Sequence, residues 1–507
     1  PETQKMIQIA ACIGNHFDSQ TLAIATERPH RLVLQDLLPV LTEGLILPLT
    51  NNYKFAIVDT ENEFSENFSI DYKFLHDRVQ QAAYVLIPES EKQVTHLKIG
   101  RQLFKKVCQH KEENGKNLAI EEEAFRIANH LNMGMGLIRD PEERLALAEL
   151  NLIAGKKAKD SNAYADAQNY LAIGIGLLPD TAWEIHYPLT LKLYEAAAES
   201  AYLNTDFDEC HRLVDRIMHH ANHILDTIKS YKVKINAYTA QRKFHEVPTT
   251  VNSILIRLGE PIPPFPSELQ VGIELLRTEL RTRLRGIKDW TALPAMTDPY
   301  KIAAVYIMTT IATSAINLNP LLVGIVILRI VNLILQYGVS PDSLIIGAAY
   351  GLIRWVAFQD IERSYRIGLV SLQLIEQNHV RAGSSLSISA FEACLRHWKE
   401  HLRDSVPNLR QAIQIGIEFG EYEAISFSVS AYCMHRFFVG DPLGVVIQDF
   451  QNYDGLLLNK IKQPQIVDQH RAWHQIALNF VGLGENMPFL VGTAIDEFEM
   501  LPTFLAE

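Results

Sequence analysis

Apolar residues recur at helical spacing along almost the whole chain, and the polar residues between them mark where helices begin. Four times a capping residue is followed by proline, at Asp140-Pro141, Asp298-Pro299, Ser340-Pro341 and Asp441-Pro442. A cap oxygen satisfies first-turn N–H groups and proline has no N–H to lose there, so each pair predicts a helix start. Glu142 and Glu143 add negative charge where the helix dipole favours it. Repeated use of this device implies many short helices.

Near the N-terminus the period changes. Phe68, Ile70, Tyr72 and Phe74 alternate with polar residues, the pattern of a strand with one buried face. Its expected partners are Gly44 to Leu49 and Lys54 to Val58, with the acidic stretch Asp59 to Asn67 as the connecting loop. Helices are predicted over Thr3 to Ile13, Ser19 to Thr26 and Leu32 to Glu43 before the strand, and over Asp77 to Leu86 after it. Three helices, a small hairpin and a further helix outline a winged helix over residues 1–90.

Beyond Gly155 a loose repeat begins. Tyr164, Phe207 and Phe244 each follow a polar turn and each precede, by three residues, a small or apolar residue: Ala167, Cys210 and Val247. The aromatics are 43 and 37 residues apart, somewhat longer than the ~34 of tetratricopeptide repeats, which reads as a degenerate array of helical hairpins. Ala196-Ala197-Ala198 and Gly347-Ala348-Ala349 suit close helix packing. The Pro-rich break Pro261 to Pro266 cannot continue a helix and predicts a division between two helical blocks. Ile302 to Leu318 carries no charge, and Leu321 to Tyr337 carries only Arg329. Each run is short of the ~20 apolar residues of a membrane span, and the second has Arg329 and Asn332 near its middle. The expectation is buried helices and no membrane.

Composition narrows the function classes. The 507 residues are 48% hydrophobic and 21% charged, which excludes a disordered chain and leaves room for about three domains. Net charge is −12, and residues 1–90 set six cations against twelve carboxylates. Phosphate contacts supply most protein–DNA affinity, so this balance opposes DNA binding and no nucleic-acid partner is expected. Five scattered cysteines without a CxxC pair point to a reducing, cytoplasmic setting. The chain opens on Pro1 with no signal-peptide pattern, and it reads as a piece of something longer.

Candidate chemistry is sparse. His397-Trp-Lys-Glu400-His401 matches HxxEH, in which two histidines on one helical face hold zinc and the glutamate serves as base; a third ligand would have to come from elsewhere, Glu485 and Glu497 being nominal options. The neighbouring Arg396, Lys399 and Arg403 oppose a divalent cation, and a polar helix face is the plainer reading. His219, His220 and His223 contain another i, i+4 pair without a glutamate base, for which packing is the simpler explanation. No GxxxxGK[ST], dinucleotide fingerprint, kinase HRD or DFG, or GxSxG is present, so the chain shows no complete catalytic apparatus. His76-Asp77 lies where the strand meets a helix, with Asp77 as the expected N-cap.

The segment Tyr72 to Leu103, YKFLHDRVQQAAYVLIPESEKQVTHLKIGRQL, resembles the stretch that follows the ATPase core in bacterial multi-domain hybrid kinases. Ala10 to Ala25, Glu43 to Leu49, Glu149 to Leu171 and Phe391 to Leu402 agree with it. Such proteins combine a serine/threonine kinase-like domain, a STAND-class AAA-type ATPase, a helical-repeat region, a GAF domain and often a histidine kinase of two-component type. The resemblance implies a winged-helix end of the ATPase module at 1–90, tetratricopeptide-like repeats at 91–260 and a second helical block at 261–507. It also implies that His76 and Asp77 match the His-Asp motif of STAND switches, whose histidine touches the β-phosphate of bound ADP. ATP or ADP and Mg would then belong to an ATPase core outside this chain. The upstream core, downstream sensor and kinase modules, and a protein or small effector on the helical array are the implied partners. The fold class expected is mostly α: a small winged-helix α+β domain followed by a long helical-hairpin solenoid. The function expected is a regulatory switch segment of a signalling kinase. The alternatives are a winged-helix transcription regulator with a helical sensor arm and a zinc hydrolase using HxxEH.

Overall fold

The computed structural model describes residues 2–50, 69–109, 116–241, 243, 245–285, 290, 292–314, 319–457, 464–486 and 488–506. The chain divides into two compact units, Pro1–Asn222 and His223–Glu507.

The first unit opens with α1 (Glu2–Ile13), β1 (His16–Asp18), α2 (Ser19–Thr26), α3 (His30–Thr42), β2 (Ile46–Pro48), β3 (Asp71–Phe74) and α4 (Asp77–Val85). The strands form an antiparallel sheet in the order β1-β3-β2, with Phe17 opposite Tyr72 and Ile46 opposite Phe74. The alternation read in the sequence holds at Ile70, Tyr72 and Phe74, all buried. Phe68 and the expected partner Lys54 to Val58, with the acidic loop, lie outside the described residues. Among the described residues β1 flanks β3 on one side, a three-residue strand too short to announce itself by pattern. Its last residue, Asp18, caps α2 by accepting from the Thr21 N–H at 2.7 Å, and the Ser19 hydroxyl accepts from the Ile70 N–H at 2.9 Å. Two adjacent polar side chains thus join helix to sheet.

Helical hairpins fill the rest of this unit: α5 (Glu89–Gln109), α6 (Lys116–Met133), α7 (Pro141–Asp160), α8 (Tyr164–Leu177), α9 (Tyr187–Leu203) and α10 (Phe207–His220). Neighbours in sequence pack as pairs, α5 on α6, α7 on α8 and α9 on α10. The repeat signature holds where it can be read. Tyr164 and Phe207 open helices, each two residues after a left-handed turn residue, Asn162 and Thr205, both at φ 61°. Ala167, Cys210 and Val247 are all fully buried, while Phe244 lies outside the described residues.

The second unit contains α11 (Ile228–Ala240), α12 (Glu246–Arg257), α13 (Glu268–Arg285), α14 (Pro299–Ser314), α15 (Pro320–Tyr337), α16 (Gly347–Phe358), α17 (Ile361–Gln377), α18 (Ser384–Cys394), α19 (Ser405–Phe419), α20 (Tyr422–Phe438), α21 (Leu443–Leu456), α22 (Pro464–Phe480) and α23 (Glu497–Ala506). The Pro261 to Pro266 stretch runs between α12 and α13 inside this unit. Three of the four cap-proline pairs start a helix, at Pro141, Pro299 and the single turn Pro341–Leu344. At the fourth, α21 begins after Pro442, and the Asp441 carboxylate is taken by Arg436 Nε at 2.6 Å instead of capping. Among the described residues only α15 is long and apolar enough to cross a membrane, and it is mostly buried within the unit. Its Asn332 amide donates to Glu274 Oε1 (2.9 Å) and Thr278 Oγ1 (2.7 Å) on α13, which accounts for a polar residue in so apolar a helix. The architecture is mostly α, a small α+β domain followed by tetratricopeptide-like helical hairpins.

Candidate functional site

His76 stands where β3 hands over to α4. Its extended backbone (φ −144°, ψ 149°) makes it the cap residue, and Asp77 is the first residue of the helix, so the cap falls one residue earlier than the expected Asp77. The Asp77 carboxylate does not cap; its Oδ1 accepts from the Asn15 amide at 2.9 Å. Leu75, His76, Asp77 and Arg78 are exposed, although Tyr72 and Phe74 just before them are buried. The turn is pinned on both sides, because the Phe74 N–H donates to the Asn15 carbonyl and the Leu75 N–H to the Leu45 carbonyl, each at 3.0 Å. Gln80 Nε2 donates to the Ala11 carbonyl (2.7 Å) and Gln8 Nε2 to the Leu86 carbonyl (3.3 Å), strapping α4 to α1 at both ends. Exposed His76 and Arg78 thus belong to the N-terminal turn of a helix, whose N–H groups and dipole favour an anionic oxygen. Asp77 is the opposing charge, and Asn15 shares it.

The far end of α4 meets a buried histidine pair. Tyr84 Oη lies 3.1 Å from His96 Nε2, and His96 Nδ1 lies 2.9 Å from His130 Nδ1. One ring must donate and the other accept, so the pair is incompatible with two imidazolium ions. Burial pushes both rings down; for His130, with the His96 and Arg126 charges adding, the value falls to about 4. His130 also hydrogen-bonds the Ile13 backbone. A continuous set of contacts therefore links α4 through α5 and α6 back to α1.

A cleft of about 410 Å³ opens between α6 and α8, lined by Asn129, Asn132, Asn169, Asp166 and Tyr170 with Met133 and Ile173 as its apolar part. The Tyr170 hydroxyl donates to Asn129 Oδ1 at 2.6 Å, and Asn132 exchanges amide hydrogen bonds with buried Asn151 at 2.8 and 2.9 Å. Side-chain amides fixed in this way can pair with peptide groups or other amides. Sequence reasoning missed the cleft. Its signal was present as polar residues at i and i+3 on α6 and again on α8, where hairpin packing alone asks for apolar ones.

The HxxEH residues do not form the expected helical face. α18 ends at Cys394; His397 falls in the single turn Arg396–Trp398, and His401 precedes another, Leu402–Asp404. Glu400 is engaged by the Tyr365 hydroxyl and the Arg396 guanidinium, and His401 Nδ1 accepts from the Arg403 N–H at 3.1 Å. Among the described residues, no group of three or more His, Cys, Asp or Glu side chains is placed to hold a metal ion. The zinc-hydrolase reading therefore loses its geometry, because a helix had to continue through Leu395 and it does not. The second cluster is likewise divided: α10 ends at His220, which stacks on Trp183 with ring centroids 5.1 Å apart, while the His223 ring accepts from the Leu225 N–H.

No family model matches the chain. The hybrid signal transduction histidine kinase G of Dictyostelium discoideum is 24% identical over 516 residues, an alignment that takes in 90% of this chain and 15% of that protein. This relative comes from an amoeba, whereas the resemblance read from sequence was to bacterial proteins. A crystal structure of a STAND protein (signal transduction ATPase with numerous domains) with a tetratricopeptide repeat sensor, from Pyrococcus horikoshii, aligns with 100% of this chain and 63% of its own, at 10% identity and a TM-score of 0.40. Over nearly its whole length, the chain is similar to about 15% of a hybrid signal-transduction histidine kinase.

Proposed function

We propose that the chain is the regulatory, conformational-switch segment of a nucleotide-dependent signalling kinase that acts in the cytoplasm. Residues 1–90 are read as the winged-helix end of a STAND-class ATPase module, 91–260 as tetratricopeptide-like repeats and 261–507 as a second helical block. The observation that carries the reading is an exposed histidine on a turn pinned to a buried sheet, in a chain similar over 90% of its length to a signalling histidine kinase.

The sequence holds no phosphate-cradling P-loop, so this chain contributes only part of a nucleotide site. ATP or ADP with Mg²⁺ belongs chiefly to an upstream ATPase core of the same polypeptide, and sensor and kinase modules lie downstream. His76 supplies a hydrogen bond to the β-phosphate of ADP, with Arg78 and the first turn of α4 adding positive potential. That contact holds residues 1–90 against the core. When it is lost, α4 transmits the release through Tyr84, His96 and His130 into α5 and α6. An effector, peptide or small molecule, docks in the amide-lined cleft of the same repeats and biases the same equilibrium. About 3 kcal/mol of differential affinity between the two states shifts their ratio roughly a hundredfold.

Nucleotide affinity of the complete polypeptide tests the reading. His76→Ala is expected to weaken ADP binding about tenfold or more, as befits a lost hydrogen bond to a charged group, with a smaller effect on ATP. An unchanged Kd for ADP, measured by calorimetry, rejects the role.

A further inference from the structure

The helix α13 is built inside out. Glu274, Thr278, Glu279 and Thr282 are buried, whereas Leu269, Ile273, Leu276, Leu280 and Leu284 are 74%, 51%, 63%, 61% and 79% exposed. The polar side has specific partners in its own unit. Asn332 of α15 donates to Glu274 and Thr278, and Arg354 of α16 donates to Glu279 through Nε at 3.0 Å. Rolling the helix over to bury its leucines would strand Glu279 and Arg354, so the apolar side is held outward by the chemistry of the inward one. Its spacing of 4, 3, 4 and 4 residues is that of a coiled-coil seam at all but the last step.

The stripe is symmetric about its own centre, and that symmetry indicates what covers it. Laid antiparallel on itself, the helix sets Leu269 against the partner's Leu284, Ile273 against the partner's Leu280, and Leu276 beside its own equivalent. The same register brings exposed Glu268 toward the partner's Arg285, whose guanidinium donates through Nη1 to the Leu335 carbonyl of its own chain and has further N–H groups for a charge pair at the rim. A two-fold interface needs such a self-complementary patch. Taking on the order of 200 Å² for a fully exposed leucine or isoleucine, the five side chains alone offer roughly 650 Å² per copy, approaching the ~800 Å² per partner of a stable interface. We propose that α13 pairs with α13 of a second copy of this chain, antiparallel, about a two-fold axis at Leu276. The pairing requires no nucleotide and does not depend on the role proposed for His76.

The 507-residue chain has a mass of 57.4 kDa, so light scattering or sedimentation distinguishes one copy from two. The expected result is a dimer that Leu276→Arg converts to monomer with an unchanged circular-dichroism spectrum. Glu268→Arg is expected to weaken the dimer and Glu268→Arg with Arg285→Glu to restore it, a rescue that a parallel pair does not give. Register is read by crosslinking: under mild oxidation Leu276→Cys joins to itself, whereas Leu269→Cys joins only when Leu284→Cys is present in the same chain. A wild-type monomer at tens of micromolar, a dimer indifferent to Leu276→Arg, or Leu269→Cys joining to itself overturns the proposal.

Discussion

Glu279 shows how much of this molecule rests on single charged groups. Three cations surround it, with Arg283 Nε at 2.9 Å, Arg354 Nε at 3.0 Å and an Arg363 nitrogen at 3.2 Å. Burial pushes its carboxyl up, but the hydrogen bonds from Arg354 and Arg283 and the nearby Arg363 charge outweigh it and hold the group below its ordinary value. Arg354 is itself almost wholly buried. Replacing it by methionine removes one side of a buried pair, and the expected cost is about 3 kcal/mol in urea unfolding. Arg354→Met with Glu279→Met should recover much of that loss. Equal destabilisation by the single and double variants would place the effect in packing rather than charge. None of this was legible in the sequence, because Glu279 and Arg354 lie 75 residues apart. The same blindness to three-dimensional partners misled the reading of Glu400, which looked like a catalytic base and is engaged by Tyr365 and Arg396.

Elements were easier to read than their partners. Helix starts follow from short-range chemistry, so Asp140-Pro141, Asp298-Pro299 and Ser340-Pro341 are recoverable from adjacent residues; Asp441 fails because Arg436 competes for its carboxylate. β1 is invisible because three residues carry no period, and the HxxEH spacing implies a helix through His397 that a break at Leu395 interrupts. The Asn129 to Tyr170 cleft went unread because it depends on how two helices meet. Close helix approach was legible in kind but not in place. A Cβ at Gly155 on α7 would stand 2.5 Å from Leu171 Cγ on α8. Gly155→Ala gains about 1 kcal/mol of helix propensity yet forces this contact apart, with an expected net loss of about 1–2 kcal/mol. Combined with Leu171→Ala, it should cost less than the sum of the single changes, with a coupling on the order of 1 kcal/mol. Strict additivity in denaturant melts would show that the two helices do not meet there.

For the whole molecule, acid is the natural antagonist. His130 and His435 are both held down to about 4, chiefly by burial, and His96 is lowered in the same way. A histidine depressed in the folded state contributes stability that is complete above its unfolded value of ~6.5 and lost as pH falls toward the folded one; for His130 the loss amounts to about 3 kcal/mol. Glu279, also depressed, adds a loss at lower pH. Glu392 acts against them, since burial raises it to about 7 in spite of Arg396, and protonation below that value relieves it. Burial lowers His30 and His397 as well and raises Asp342 and Glu421; the two histidines held down to about 4 carry the largest losses, so the melting temperature is expected to fall between pH 6.5 and pH 4, with a shallower fall in His130→Gln. A wild-type melting temperature that is flat over that interval, or an equal slope in the variant, contradicts the assignment. The position of β3 carries a consequence on the same scale. As the middle strand it is laddered on both edges, and a slip of one residue would turn Ile70, Tyr72 and Phe74 toward water while driving Asp71 and Lys73 inward. The turn bearing His76 is bonded to that register through the Phe74 and Leu75 N–H groups, so in the proposed switch it would travel with the sheet or stay, in whole steps and without slack.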